Sequence, residues 1–160
     1  MSNKAIKTNL NDEKNSPFGS LPEWDLGDLY PAENAPELIR DLDWLDKACS
    51  DFASDYEGKL KTLQAKHLLV AVERYQDIEI VAGRIMSYAA LRYYQLTSDP
   101  QRAKFMSDMQ DKITQLTTPL VFYELEINRI NDDNLNSILK ENSDLARYKP
   151  VFDRMRAMKP

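Results

Sequence analysis

Hydrophobic positions recur at helical spacing over most of the chain. Leu38, Leu42, Leu45, Cys49, Phe52 and Tyr56 lie 4, 3, 4, 3 and 4 residues apart, which lines them along one face of a helix, whereas a strand would bury alternate residues. Asn34 is placed to cap this helix, and Pro36 falls in its first turn, where a missing N–H costs little. Gly58 is a natural stop, because glycine tolerates the left-handed conformation just past a helix end. A second helix is expected from about Leu63 through the run Leu68-Leu69-Val70-Ala71-Val72. That run could be a strand by composition, but its flanks (Gln64, Lys66, Glu73, Arg74) and its lack of turn residues favour helix. A further helical stretch runs from Asp77 to Leu96 on Ile78, Val81, Ile85 and Tyr88, with Gly83 marking a weak point or a close helix contact. Thr97-Ser98-Asp99-Pro100 then supplies a stop, a cap and an N-terminal proline.

The fourth helix has the most regular stripe. Met106, Met109, Ile113, Leu116, Leu120, Tyr123, Ile127 and Ile130 alternate spacings of three and four without a fault, a heptad-like seam. Met106 and Met109 read as core packing in preference to a cofactor-binding methionine box. Pro119 removes one hydrogen bond and clashes one turn back, so a kink is expected there. Asn131-Asp132-Asp133 ends this helix and caps a short one through Lys140, and Asn142-Ser143-Asp144 precedes a last helix through Met158. No glycine follows Gly83 and no Asn-Gly or Asp-Gly pair occurs, so hairpin signals are missing. The expected class is all-α, an antiparallel helical array. Residues 101–130 as one helix would span ~45 Å at ~1.5 Å per residue, against a diameter near ~40 Å for a compact chain of this length. That mismatch favours one slab of a larger helical body over a closed ball.

Ahead of the helices, residues 1–20 are polar and read as a disordered leader. Residues 21–36 interleave Pro22, Pro31 and Pro36 with Trp24, Leu26, Leu29 and Tyr30. Proline blocks regular helix while the apolar residues call for burial, which an extended strap across the helical body satisfies. Residues 37–160 form the helical domain.

Charge and composition narrow the function classes. The net charge of −5 argues against nonspecific nucleic-acid binding, which needs clustered Lys and Arg. The charge is uneven: residues 37–57 hold seven acids and two bases, and residues 140–159 six bases and three acids. Solvated helix faces account for this; the sharper reading is a basic contact surface for a following segment. No stretch approaches the roughly 20 apolar residues of a membrane span, and the N-terminus has no apolar run of signal-peptide length. A cytoplasmic protein is the default expectation. One cysteine, Cys49, excludes an internal disulfide.

The chain offers little catalytic chemistry. His67 is the only histidine, so a His–His zinc pair or an imidazole triad cannot form within one chain; it reads as a surface residue. Cys49 sits on the core stripe and reads as an inert buried thiol. Four scattered glycines make no phosphate loop. Glu124 and Glu126 stand two positions apart, on different helix faces, and are no ready acid–base pair. Glu124, next to the seam residue Tyr123, is expected to be partly buried in a structural hydrogen bond or ion pair. No catalytic, cofactor-binding or metal-binding residue is assigned.

Leu21-Pro22-Glu23-Trp24-Asp25-Leu26-Gly27-Asp28-Leu29-Tyr30-Pro31 closely resembles the opening Trp-x-Leu-x-Asp-Leu-Tyr-Pro segment of oligoendopeptidase F and its thimet-oligopeptidase-like relatives. Tyr56-Glu57-Gly58-Lys59-Leu60, Ser87-Tyr88-Ala89 followed by Thr97-Ser98-Asp99, Tyr123-Glu124-Leu125-Glu126-Ile127 and Arg156-Ala157-Met158-Lys159-Pro160 are similar to later markers of that family in kind and order. The resemblance implies the N-terminal part of a soluble, mostly helical zinc metallopeptidase that hydrolyses short peptides. It further implies that zinc is held by a His-Glu-x-x-His helix and a downstream glutamate, and that the N-terminal helices wall a substrate channel. The sequence reaches Pro160 without such a zinc helix, so no catalytic or metal ligand carries across. The chain alone is expected to be inactive and to bind no zinc, with a C-terminal catalytic part as its partner and oligopeptides as substrates of the whole enzyme. A free-standing helical protein–protein interaction module is the alternative.

Overall fold

The computed structural model describes residues 24–157. The proposed leader, Leu21–Glu23 of the strap, and Met158-Lys159-Pro160 lie outside the described residues. Among those described, the regular structure is helical, in the order α1 (Pro36–Tyr56), α2 (Ala65–Gln95), α3 (Pro100–Thr117), α4 (Val121–Arg129), α5 (Asp132–Glu141), α6 (Ser143–Ala146) and α7 (Lys149–Ala157), with 3-10 turns at Leu60–Thr62 and Thr118–Leu120. The all-α class expected from the periodicity is the observed one.

The α1 stripe behaves as its spacing predicts. Leu38, Leu45, Cys49 and Phe52 are buried, with Leu42 and Tyr56 packed against them. Gly58 adopts φ +79°, the left-handed conformation that ends the helix without a Cβ penalty. The start differs. Ala35, not Asn34, is the capping position, and no side chain bonds the first amides; Pro36 lessens the need for one by removing a donor.

The two helical stretches expected between 63 and 96 are one. α2 runs unbroken over 31 residues, ~46 Å long. Continuous placement of Leu68, Ala71, Val72, Ile78, Ala82, Ile85, Tyr88 and Ala89 on a buried face lets it serve as the axis on which α1 and α3 pack. Gly83 is exposed and has no atom within 4 Å of where a Cβ would stand, so it marks no close helix contact. Glycine costs helix only about 1 kcal/mol, too little to break a helix buried along its length. The excess length first assigned to 101–130 thus belongs to α2.

Asp99 caps α3, accepting from the Gln101 and Arg102 amides, with Pro100 in the first turn. The seam then divides at Pro119. Thr114 and Thr117 hydroxyls donate to the carbonyls of Gln110 and Ile113, and Thr118 to that of Thr114. Hydroxyl back-bonding of this kind bends helices, and Pro119 has no amide to restore the ladder; a 3-10 turn results. Leu116, Leu120, Tyr123, Ile127 and Ile130 are buried on either side of it. At the other end of the seam Phe105, with Met109, packs on the core, while Met106 is only half-buried. The C-terminal stretch is split in two: Asn142 caps α6 through the Asp144 and Leu145 amides, and α7 follows after a turn at Arg147–Tyr148.

Before α1, Tyr30 is buried and meets Tyr88 edge-on at 5.3 Å. Its hydroxyl donates to Asp41 at 2.5 Å, and Arg84 reaches both groups. Burial, then the Asp41 carboxylate, pushes the Tyr30 phenol up to about 12, so it remains a donor. Trp24, in contrast, is 55% exposed, and its carbonyl accepts from Gln95 at 2.7 Å. The burial expected for that ring is not observed.

Candidate functional site

Phe52 is the hub where α1, α2 and α4 meet. Its ring is fully buried and lies 4.8 to 5.9 Å from those of Tyr56, Tyr75, Phe122 and Tyr123. Tyr75 and Tyr123 stack at 3.9 Å. Arg74 lies over the Tyr56 ring at 5.2 Å while pairing with Asp55 at 2.7 Å. Burial is the main cause that raises the pKa of both stacked tyrosines. Neither can serve as a base near neutrality.

Two charged side chains join segments far apart in sequence. The Glu126 carboxylate on α4 accepts the Gly58 amide at 2.5 Å and the Leu60 amide at 3.1 Å. These amides belong to the turn between α1 and α2, where the left-handed Gly58 leaves donors facing out of the chain. Arg156 on α7 donates to the carbonyls of Ile127 (3.2 Å) and Ile130, and to Asp132 at 2.5 Å. It thereby satisfies acceptors that the end of α4 leaves open and favours the negative pole of that helix. Replacing Glu126 by alanine is expected to lower stability by about 1–2 kcal/mol, the value of charge-assisted hydrogen bonds discounted for partial solvent access. Glu126→Gln should recover part of the loss. Urea melts followed by circular dichroism measure both; equal midpoints for wild type and Glu126→Ala would remove the clasp.

The residues weighed as chemistry are scattered. His67 is exposed in the first turn of α2. Cys49 is buried, and burial pushes its thiol up to about 11, so the thiolate needed for attack or metal binding is disfavoured. Glu124 is exposed and has none of the expected structural partners among the described hydrogen bonds and ion pairs; Glu126, half-buried, holds that role. Helical phase explains the exchange: one residue after Tyr123 turns away from the core, three residues after it returns toward the α1–α2 turn. Among the described residues no three His, Cys, Asp or Glu side chains converge as a metal site. With a single exposed histidine and a protonated buried thiol, the donor set present does not fit zinc.

The described surface also carries shallow depressions, two of which adjoin these elements. One, of about 770 Å³, is open and polar, lined by Lys61, Gln64, Lys66, Asn134 and Glu141 among others. The other, of about 290 Å³, lies between α2 and the start of α4, lined by the apolar Tyr75, Leu120, Val121 and Leu125 together with Glu79 and Glu124. No described helix is long and apolar enough to cross a membrane.

Residues 126–160 match the family model described as Oligopeptidase F, for the N-terminal region of that peptidase group. That stretch is similar to the N-terminal region of oligopeptidase F. The matched segment starts at Glu126 and contains Arg156, two of the side chains that tie separate elements of the fold together. Within the matched residues Asn131 and Asn142 cap successive helices, and Leu135, Ile138, Leu139, Leu145 and Phe152 face the core. No curated protein and no solved structure matches the chain.

Proposed function

We propose that this chain is the N-terminal, channel-wall part of a zinc-dependent oligoendopeptidase that hydrolyses short peptides, with the catalytic groups on a separate C-terminal part. The observation that carries the reading is the family match at residues 126–160. The ordered set of family-like motifs from Trp24 to Arg156 supports it, with Tyr56–Leu60 and Tyr123–Ile127 joined by the Glu126 clasp. In such an assembly the helical wall contributes by enclosing and orienting substrate and by limiting water, effects that act on rate through positioning. Zinc held by the catalytic part would polarise the scissile carbonyl and activate water; among the described residues of this chain no group of three His, Cys, Asp or Glu side chains is placed to hold it. The cytoplasm is the compartment that accords with this role.

Purified alone, the chain should cleave no short fluorogenic peptide and retain no stoichiometric zinc on equilibrium dialysis at micromolar concentration. Mixed with the separately expressed catalytic part of an oligopeptidase F, it should restore cleavage that the catalytic part lacks by itself. Peptidase activity or tight one-to-one zinc binding by the chain alone would overturn the division of labour. So would a catalytic part indifferent to its addition.

A further inference from the structure

The groove between α2 and α4 combines an apolar lining with uncompensated charge. Val121 and Leu125, one helical turn apart, are 62% and 51% exposed and line it together with the half-buried Tyr75 and the buried Leu120. Glu79 on α2 and Glu124 on α4 also line the groove. Among the described residues neither glutamate enters an ion pair. An apolar lining with two unpaired carboxylates suits an apolar side chain flanked by cations.

The chain carries that complement itself. Val151 on α7 is 45% exposed; the exposed Arg154 stands three residues after it on the same helix face, and the exposed Arg147 lies in the turn that leads into α7. Arg147, though just before α7, has helical dihedrals of φ −63° and ψ −25°. Among the described residues neither arginine enters an ion pair, whereas Lys149 is held by Asp153 and Arg156 by Asp132.

We propose that the α2–α4 groove binds the Arg147–Val151–Arg154 surface of a second copy of this chain. Val151 enters between Val121 and Leu125, and the two arginines meet Glu79 and Glu124. α7 packs on α4 of its own chain, so donor face and groove lie on neighbouring elements and a two-fold pair makes the contact twice. The proposal rests on these surfaces and not on the peptidase reading.

Sedimentation equilibrium of the full 160-residue chain at a series of concentrations tests it, with circular dichroism confirming the fold of each variant. The wild type should dimerise, more weakly as salt rises. Glu79→Lys with Glu124→Lys should raise the dimer dissociation constant at least about tenfold, as should Arg147→Glu with Arg154→Glu, since each brings like charges together. Mixing these two double variants should restore association, because each then offers what the other lacks. A wild type that stays monomeric to about 1 mM would overturn the proposal, as would double variants that dimerise as tightly as wild type. A monomer whose groove instead binds an added Arg-rich amphipathic peptide would assign the surface to a foreign segment and equally overturn it.

Discussion

Phe52→Ala should cost about 3–5 kcal/mol of stability, the largest loss expected from any single truncation in this chain. Removing a fully buried aromatic ring forfeits its transfer free energy and leaves a cavity that neighbours fill only in part. Here the neighbours are four other rings, which are too rigid to collapse into the space, so the upper half of that range applies. Edge-to-face and offset contacts add to the loss beyond area alone. Phe52→Leu, which keeps most of the volume, should cost roughly half as much. Urea unfolding of the two variants provides the comparison. A loss below about 1 kcal/mol for Phe52→Ala would mean that α1, α2 and α4 do not meet at this residue.

The second large effect tests the phase of the seam through the Pro119 break. Ile127→Ala should destabilise by roughly 2–5 kcal/mol, and Leu116→Ala by an amount nearer the low end because its side chain retains slight solvent contact. Gln115→Ala, one residue away on the exposed face, should change stability by no more than about 0.5 kcal/mol. Thermal melts of the three variants read the contrast directly. If Leu116 and Gln115 responded alike, the turn at Thr118–Leu120 would have rotated α3 out of register with the core.

The periodic features of this fold were readable because burial at helical spacing leaves a repeating mark. The stripes of α1 and of the seam from Ile113 to Ile130 follow directly from it, and the Asp99 and Asn131 caps from short side chains that act on amides two or three residues on; the Asn142 cap, where the sequence marks only a break, belongs to the fold. What the pattern does not encode is continuity. A single glycine costs little against the packing of a long buried face, so α2 passes through Gly83 unbroken. Nor does a repeat show which of two adjacent residues a neighbouring helix will touch, and so Phe105 took the place assigned to Met106. The candidate site was the least legible part. Glu126 is important for amides 66 and 68 residues earlier in the chain, a relation that no local spacing expresses. The motifs around Gly58 and around Glu126 are each visible in the sequence, but only the fold makes them halves of one contact.

That contact bears on where the chain can be cut. A peptide beginning at the family-matched boundary would retain the Glu126 carboxylate but lose both amides it engages, together with the Phe52, Tyr75 and Tyr123 rings. Conversely, residues 24–125 would keep the rings and the turn but leave the Gly58 and Leu60 amides without their acceptor. The α4 carbonyl of Ile127 that Arg156 bonds would go too. The stretch that the family model matches, 126–160, is therefore not a separable structural unit. A dissection that respects the physics has to carry α1 through α7 together, and a split-protein reporter built at residue 125 should assemble only when both fragments are present.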